Sequence, residues 1–283
     1  MTLRIGCIGE AMIELSSSPE APESADVGVA GDTLNTAIYL ARQAGEDAKV
    51  SYVTALGDDP FSDRMIRFME GEGVDAGAVR RLPDRLPGLY AISTDADGER
   101  SFYYWRSEAA ARSMFDGPDF SALDGFDVLY LSAISLAILP ADIRAALIAR
   151  LGALRGQGVQ VAFDSNWRPR LWDSVQAARD AVMAMWAISD IALPSVDDEM
   201  ALFGDASEDA CLARIAAVCP GRGALKRGPS GPRAINAEAG AGAFAPAPRM
   251  IDSTAAGDSF NGGFLAAHLA GRGIDAAMQA GHA

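Results

Sequence analysis

Short apolar runs alternate with helical patterns along this chain. Residues 4–8 (RIGCI), 50–56 (VSYVTAL), 128–132 (VLYLS), 159–163 (VQVAF) and 188–193 (ISDIAL) read as buried strands. Between and after them, apolar positions recur at helical spacing over residues 33–44, 62–72, 141–155, 175–186 and 208–218. Pro140 stands at the entrance of the third of these helices, where a missing N–H costs nothing. A β-then-α alternation predicts a mostly parallel sheet covered by helices on both faces.

One region breaks the pattern. GLYAISTDADGERSFYYWR, residues 88–106, reads as two strands, 89–94 and 100–106, joined by a DADG turn at 95–98. The hairpin carries Tyr90, Phe102, Tyr103, Tyr104 and Trp105 on both faces. It is either an ordinary edge hairpin or a small sheet packed against a ligand or a second subunit.

Composition then removes whole classes of function. A chain of 283 residues, 49% hydrophobic and 22% charged, can bury a large core without staples. The net charge of −14 argues against nucleic acid as a partner. Cys7, Cys211 and Cys219 are sparse and without CxxC spacing, which fits a reducing cytoplasm and speaks against zinc. No signal-like apolar core opens the chain, and no apolar stretch is long enough for a membrane span.

The chemistry concentrates near the end, in IDSTAAGDSFNGGF, residues 251–264. Small residues at 255–257 follow a strand end and open a helix, so unpaired N–H groups can face an anion there. Asp258 is then either a favourable partner for the helix dipole or something more specific. A carboxylate would repel the anion that the loop is built to hold. The conflict resolves if Asp258 is a general base for an attacking hydroxyl while the N–H groups of Ala255, Ala256, Gly257 and Asp258 hold a transferring phosphoryl group. No GxxxxGK[ST] motif occurs, so this is not a P-loop.

DSTAAGDSFNGGF, residues 252–264, resembles the C-terminal signature of the ribokinase-like (PfkB) sugar kinases, D-T-x-A/G-A-G-D. AGDTLNTAIYLARQAG, residues 30–45, is similar to their N-terminal signature, Ala-Gly followed by Asn four residues on. TALGDDPFSDRM, residues 54–65, resembles the region between, with Ser62 where glycine is common. The resemblance spans residues 1–283 and implies one kinase domain, a three-layer α/β/α sandwich with a mostly parallel sheet. It also implies a small β lid formed mainly by residues about 86–108 with an N-terminal segment near 10–30. The chain stops at His282–Ala283, where the family normally continues through a helix and strand beside the adenine, so a shortened C-terminal end is expected.

Segments outside those signatures are similar to the 2-keto-3-deoxygluconate kinases: GEAMIELS (9–16), RLPGLY (85–90), GERSFYYWR (98–106), LSAISLAIL (131–139) and NWRPRLW (166–172). That resemblance implies transfer of the ATP γ-phosphoryl to the 6-hydroxyl of a sugar acid, with Asp258 as base. Its carboxylate would meet Arg106 and Arg168, either of which is otherwise a surface ion pair. Tyr90 and Tyr104 would offer hydroxyls, or serve as core or dimer-interface rings. Gly31, Asp32 and Asn35 would hold sugar hydroxyls, although Asp32 also suits a helix cap. On the nucleotide side the resemblance implies Asn166, Lys226, Gly228, Ser230 and Gly231, with a plain β-turn at GPSG as the competing reading. Asp198 or Glu199, in PSVDDE, would act on Mg²⁺ through water, or form a surface acidic cluster. A homodimer through the lid is expected. The alternatives are a kinase for another sugar (fructose, ribose or the galacto epimer) and a non-catalytic sugar- or nucleotide-binding regulator.

Overall fold

The computed structural model describes residues 2–17, 23–95, 100–240, 244–245 and 255–283. In chain order its strands are β1 (Leu3–Ile8), β2 (Met12–Ser17), β3 (Asp26–Ala30), β4 (Ala48–Leu56), β5 (Val79–Arg81), β6 (Gly88–Thr94), β7 (Arg100–Trp105), β8 (Val128–Ser132), β9 (Gln160–Asp164), β10 (Ile191–Ala192), β11 (Arg222–Leu225) and β12 (Arg233–Ile235). Among the described residues, eight of them form one sheet in the order β12-β11-β10-β9-β8-β1-β4-β5. Every pairing in it is parallel except β11 with β12 at the edge. The central strands are the continuous apolar runs, because a sheet covered on both faces leaves no polar side. All five residues of β8 are buried.

The helices are α1 (Asp32–Ala44), α2 (Pro60–Gly71), α3 (Ala133–Ala137), α4 (Ala141–Gly156), α5 (Val175–Trp186), α6 (Val196–Phe203), α7 (Glu208–Val218), α8 (Ala256–Leu269) and α9 (Gly273–His282). The α2 helix starts two residues before its apolar pattern, because Asp59 caps the N–H groups of Phe61 and Ser62 and Pro60 occupies the first turn. Ser62, standing where glycine is common, belongs to that cap: its hydroxyl donates to Asp59 Oδ2 at 2.6 Å and accepts from the Gly57 N–H at 2.9 Å.

The run at 188–193 is shorter as a strand than its sequence implies. Only Ile191–Ala192 pairs, because Ser189 is held by the end of α5, its hydroxyl donating to the Met185 carbonyl at 2.7 Å. The elements least visible in the apolar pattern are the short or half-exposed ones: β2, β3, β5, β12, α3, α6 and α9.

A second sheet has the order β3-β2-β6-β7. The chain passes from β1 in the first sheet to β2 in the second through Gly9, Glu10 and Ala11 alone. β6 and β7 pair antiparallel from Leu89↔Trp105 to Thr94↔Arg100. Residues 96–99 of the turn expected between them lie outside the described residues. β7 is an edge strand exposed along its whole length, whereas Tyr90 of β6 is buried.

Two glycines set the position of α8. A Cβ on Gly262 would lie 2.5 Å from Tyr39 Cβ and 2.9 Å from the Leu40 nitrogen, so its absence lets α8 lie directly on α1. A Cβ on Gly263 would meet the Ala280 carbonyl oxygen at 2.4 Å, which brings α9 equally close on the other side. The start of α8 is thereby held against the start of α1.

Candidate active site

Parallel sheets bind ligands beyond the carboxyl ends of their strands, and the polar residues gather there. Glu10 follows β1, Ser132 ends β8, and Asp164 to Arg168 leave β9. Asp198 lies in the helix after β10, and Lys226 follows β11. The N-termini of α1 and α8 close the space from above with Asp32, Asn35 and Asp258.

Asp258 accepts a hydrogen bond from Asn35 Nδ2 at 2.9 Å. Its carboxyl is pushed up to about 7, first by burial and then by the nearby charges of Asp32 and Asp164, with Asn35 and Lys226 acting in the other direction. Ala255 enters the helix with φ 60°, a left-handed conformation uncommon for a residue with a Cβ. No side chain caps α8, and its first regular hydrogen bond runs from the Ser259 N–H to the Ala255 carbonyl at 2.8 Å. The N–H groups of Ala256, Gly257 and Asp258 therefore have no acceptor within the helix. The rest of the expected anion loop, residues 251–254, lies outside the described residues.

Asp32 accepts from the Ser132 hydroxyl and, at 2.9 Å, from Asn166 Nδ2. It caps nothing; the residue before α1 is Gly31, whose missing side chain admits the Glu10 carbonyl oxygen at 2.3 Å from where a Cβ would be. Lys226 Nζ donates to Asp164 Oδ2 at 2.6 Å and to Asn261 Oδ1 at 3.0 Å. It also lies 3.8 Å from the position of a Cβ on Gly257, over the bare start of α8.

In the loop after β9, Asn166 Nδ2 donates to Asp32 Oδ2 at 2.9 Å. Arg168, two residues on, is half exposed and donates to Asp198 Oδ1 at 3.4 Å. Asp198 is drawn into this group; burial raises its pKa, while Arg168 lowers it.

Glu199, the neighbouring acid, is fully buried, accepting from Arg214 Nη2 at 2.9 Å and Trp186 Nε1 at 3.2 Å. Burial pushes its carboxyl up to about 7 in spite of Arg214. Consecutive helical residues point about 100° apart, so the two acids meet different cations, Arg168 and Arg214.

The second sheet contributes from the side. Arg106, just past β7, forms a buried ion pair with Glu10. Its Nε is buried without a hydrogen-bond partner among the described residues, as is Glu10 Oε1. The Tyr90 hydroxyl donates to Glu14, and burial raises its pKa. Tyr104 is half exposed, its ring stacked on Tyr90 at 5.7 Å and under the Arg106 guanidinium at 6.0 Å.

Gly228 and Gly231 both adopt positive φ, 53° and 72°, in a short turn with exposed Ser230. A cavity of about 360 Å³ adjoins the turn, lined by Arg227, Ser230, Phe244 and Met278 among others. A larger cavity, about 800 Å³, lies elsewhere beside β1, β4 and β5. It is not the site, since its Arg4, Lys49 and Arg80 are already paired with Asp127, Asp75 and Asp116.

Three members of the site escaped the sequence reading. Asp164 directly follows the predicted strand 159–163, and Asn261 lies three residues after Asp258 on one helix face; both positions could have been found by spacing. Tyr130 is hidden inside the apolar run VLYLS and carries no such signal.

The description "pfkB family carbohydrate kinase" matches residues 2–283. The chain is 44% identical to a 2-dehydro-3-deoxygluconokinase of Dickeya dadantii over 292 aligned positions, covering 99% of this chain and 93% of that protein. It is 43% identical to the 2-dehydro-3-deoxygluconokinase of Escherichia coli K12, covering 100% of this chain and 93% of that protein. Among solved structures, a PfkB protein from Polaromonas sp. JS666 superposes with a TM-score of 0.85 at 27% identity, over 100% of this chain and 93% of that one. A sheet that gathers its polar residues at its carboxyl ends, with a raised aspartate at a bare helix start, is thus matched by family and by fold: the chain belongs to the pfkB family of carbohydrate kinases.

Proposed function

We propose that this protein transfers the γ-phosphoryl of ATP to the 6-hydroxyl of 2-keto-3-deoxy-D-gluconate. The observation that carries the reading is Asp258, a desolvated carboxyl pushed up to about 7 beside three N–H groups with no acceptor within the helix and an ammonium. Such a group can take the proton of an attacking hydroxyl near neutral pH. The hydroxyl oxygen bonds to the γ-phosphorus as the bond to the β,γ-bridging oxygen breaks, and ADP leaves. The N–H groups of Ala256, Gly257 and Asp258 and the Lys226 ammonium receive the charge of the transferring group. The nucleotide would lie along Gly228, Ser230 and Gly231, with the 360 Å³ cavity beside them.

The choice of an acid rests on Arg106. A buried Nε without a partner is costly, and a substrate carboxylate oxygen is the acceptor that would satisfy it. Relatives at 43–44% identity bear the name 2-dehydro-3-deoxygluconokinase, which supports the same substrate. Arg168 reaches the acid from the opposite side on exchanging Asp198 for substrate. Gly31, Asp32, Asn35, Tyr90 and Tyr104 would hold the sugar between them.

Among the described residues no cluster of three or more acidic, His or Cys side chains could hold a metal by itself. Asp198, partly exposed where Glu199 is buried, suits a hydrated Mg²⁺ carried on the phosphates, whose charge that ion would neutralise when bound. The four-stranded sheet serves as a lid that excludes water. Its exposed edge strand, with Phe102, Tyr103, Tyr104 and Trp105, supports pairing of two subunits. Three buried free cysteines support a reducing, cytoplasmic setting.

An ATP-coupled assay across sugar acids and neutral sugars tests the reading. Turnover with the acid and little with fructose or ribose is expected. Arg106→Ala and Arg168→Ala should raise the acid's KM about tenfold or more, the scale of a charge-assisted hydrogen bond. Turnover with neutral sugars alone would refute the substrate.

A further inference from the structure

A lysine ammonium has three N–H donors and no acceptor. Lys226 commits two of them to Asp164 and Asn261, in a position where its side chain is only 11% exposed. Among the described residues one donor is left, at the start of α8. The residue that completes this arrangement is Asn261, which is fully buried and cannot touch a substrate. Its orientation follows from chemistry alone. The carbonyl must face the ammonium, and the amide must face the Asp164 carboxylate, to which it donates at 2.7 Å. The amide's second hydrogen goes to the Tyr130 hydroxyl at 3.0 Å. That hydroxyl can donate in turn to Thr36 Oγ1 at 3.2 Å, and the one hydrogen of Thr36 is shared between the carbonyl oxygens of Asp258 and Asp32, each at 3.2 Å.

Lys226, Asn261, Tyr130 and Thr36 can each donate to the next group, and Asp164 accepts from both Lys226 and Asn261. Lys226 and the backbone of Asp258 thus belong to one buried hydrogen-bonded frame. Asn261 also sits one turn after Asp258 on α8, so the same helix carries the base and the residue that fixes the cation.

We propose that Asn261 is a positioning residue for phosphoryl transfer, holding the Lys226 ammonium, through the Asp164 and Tyr130 hydrogen bonds, at the place where the transferring phosphoryl meets α8. This rests on the kinase reading and on Lys226 as a phosphoryl contact. Asn261 and Tyr130 are buried and touch no nucleotide or sugar, so their loss acts on geometry. A misplacement of the order of an ångström in a group of this kind costs about 10²-fold in rate.

The test compares Asn261→Leu, Tyr130→Phe and Lys226→Met with wild type in steady-state turnover and in calorimetric binding of ADP and of β,γ-imido ATP. Asn261→Leu should lower kcat about 10²-fold with the sugar KM within about threefold. Tyr130→Phe, which keeps the core packed, should lower kcat about fivefold, the worth of about one net hydrogen bond. In Asn261→Leu, as in Lys226→Met, the preference for the imido analogue over ADP should fall about tenfold, a readout that a loss of stability alone would not move. If Lys226→Met lowers both quantities while Asn261→Leu and Tyr130→Phe leave them unchanged, the positioning role is refuted and the kinase reading stands. If Lys226→Met leaves both unchanged, the phosphoryl contact itself fails, and the proposal with it. Should Asn261→Leu not fold, Tyr130→Phe decides by the same two measurements.

Discussion

Replacing the Asp258 carboxylate by an amide, Asp258→Asn, removes one proton acceptor and one buried charge, and the two consequences can be measured apart. The Asn35 amide can still donate to the new side-chain carbonyl, so the local hydrogen bond survives. Loss of a general base costs about 10²–10⁴ in kcat. In the wild type a carboxyl at about 7 is about one-tenth ionised a pH unit below that value, so kcat/KM should fall about tenfold between pH 7.5 and 6 and continue down. The variant's residual rate should lack that acidic limb.

The stability effect has the opposite sign. The folded protein raises the Asp258 pKa from 3.8 to about 7, so it favours the neutral form. Stabilisation from that preference is complete below about pH 4 and is lost as pH climbs through about 7. At about 1.4 kcal/mol per pH unit, the loss is on the order of 4 kcal/mol as a ceiling, because Asp32 shares the same space. The uncharged amide of the variant suffers none of it. Urea unfolding at about pH 5 and about pH 8 should show the variant gaining on the wild type by a few kcal/mol at the higher pH. An unchanged difference between the two pH values would mean that Asp258 is not desolvated, and a wild-type rate profile flat from pH 5.5 to 8 would remove it as the titrating base.

Two other expectations follow from the packing. Arg214→Met leaves the Glu199 carboxyl buried without its cation, so the urea midpoint should drop by the equivalent of about 3–5 kcal/mol while kcat per folded molecule holds; a fall in kcat at full stability would instead give Glu199 a place in the reaction. Tyr103→Lys with Trp105→Lys puts charge on the exposed edge of β7, and sedimentation should then report monomers where the wild type gives dimers; a wild type that sediments as a monomer would refute the lid interface.

Much of this molecule can be read from its amino-acid order. Apolar runs such as VLYLS become strands buried on both faces, and the 175–186 and 208–218 patterns become helices with those very bounds. Small residues before Asp258 announce a helix start that leaves its N–H groups bare, since that depends only on local side chains. Asn35 and Asp258, one from each of the two signatures and 223 positions apart, are joined by a hydrogen bond.

Only tertiary packing decided the rest. Adjacent acids look alike in PSVDDE, yet the rotation of α6 sends Asp198 to the site and Glu199 to Arg214. Asn166 and Arg168, two residues apart in one loop, find their partners far along the chain, in Asp32 and Asp198. Asp164, Lys226, Asn261 and Tyr130 come from four separate segments, and nothing in their order along the chain says that they meet. The pKa of Asp258 is likewise a property of the assembled space, set by how much water the folded helices exclude and which charges they bring near. Local sequence chooses the chemical groups; the distances that make them act together exist only once the strands lie side by side.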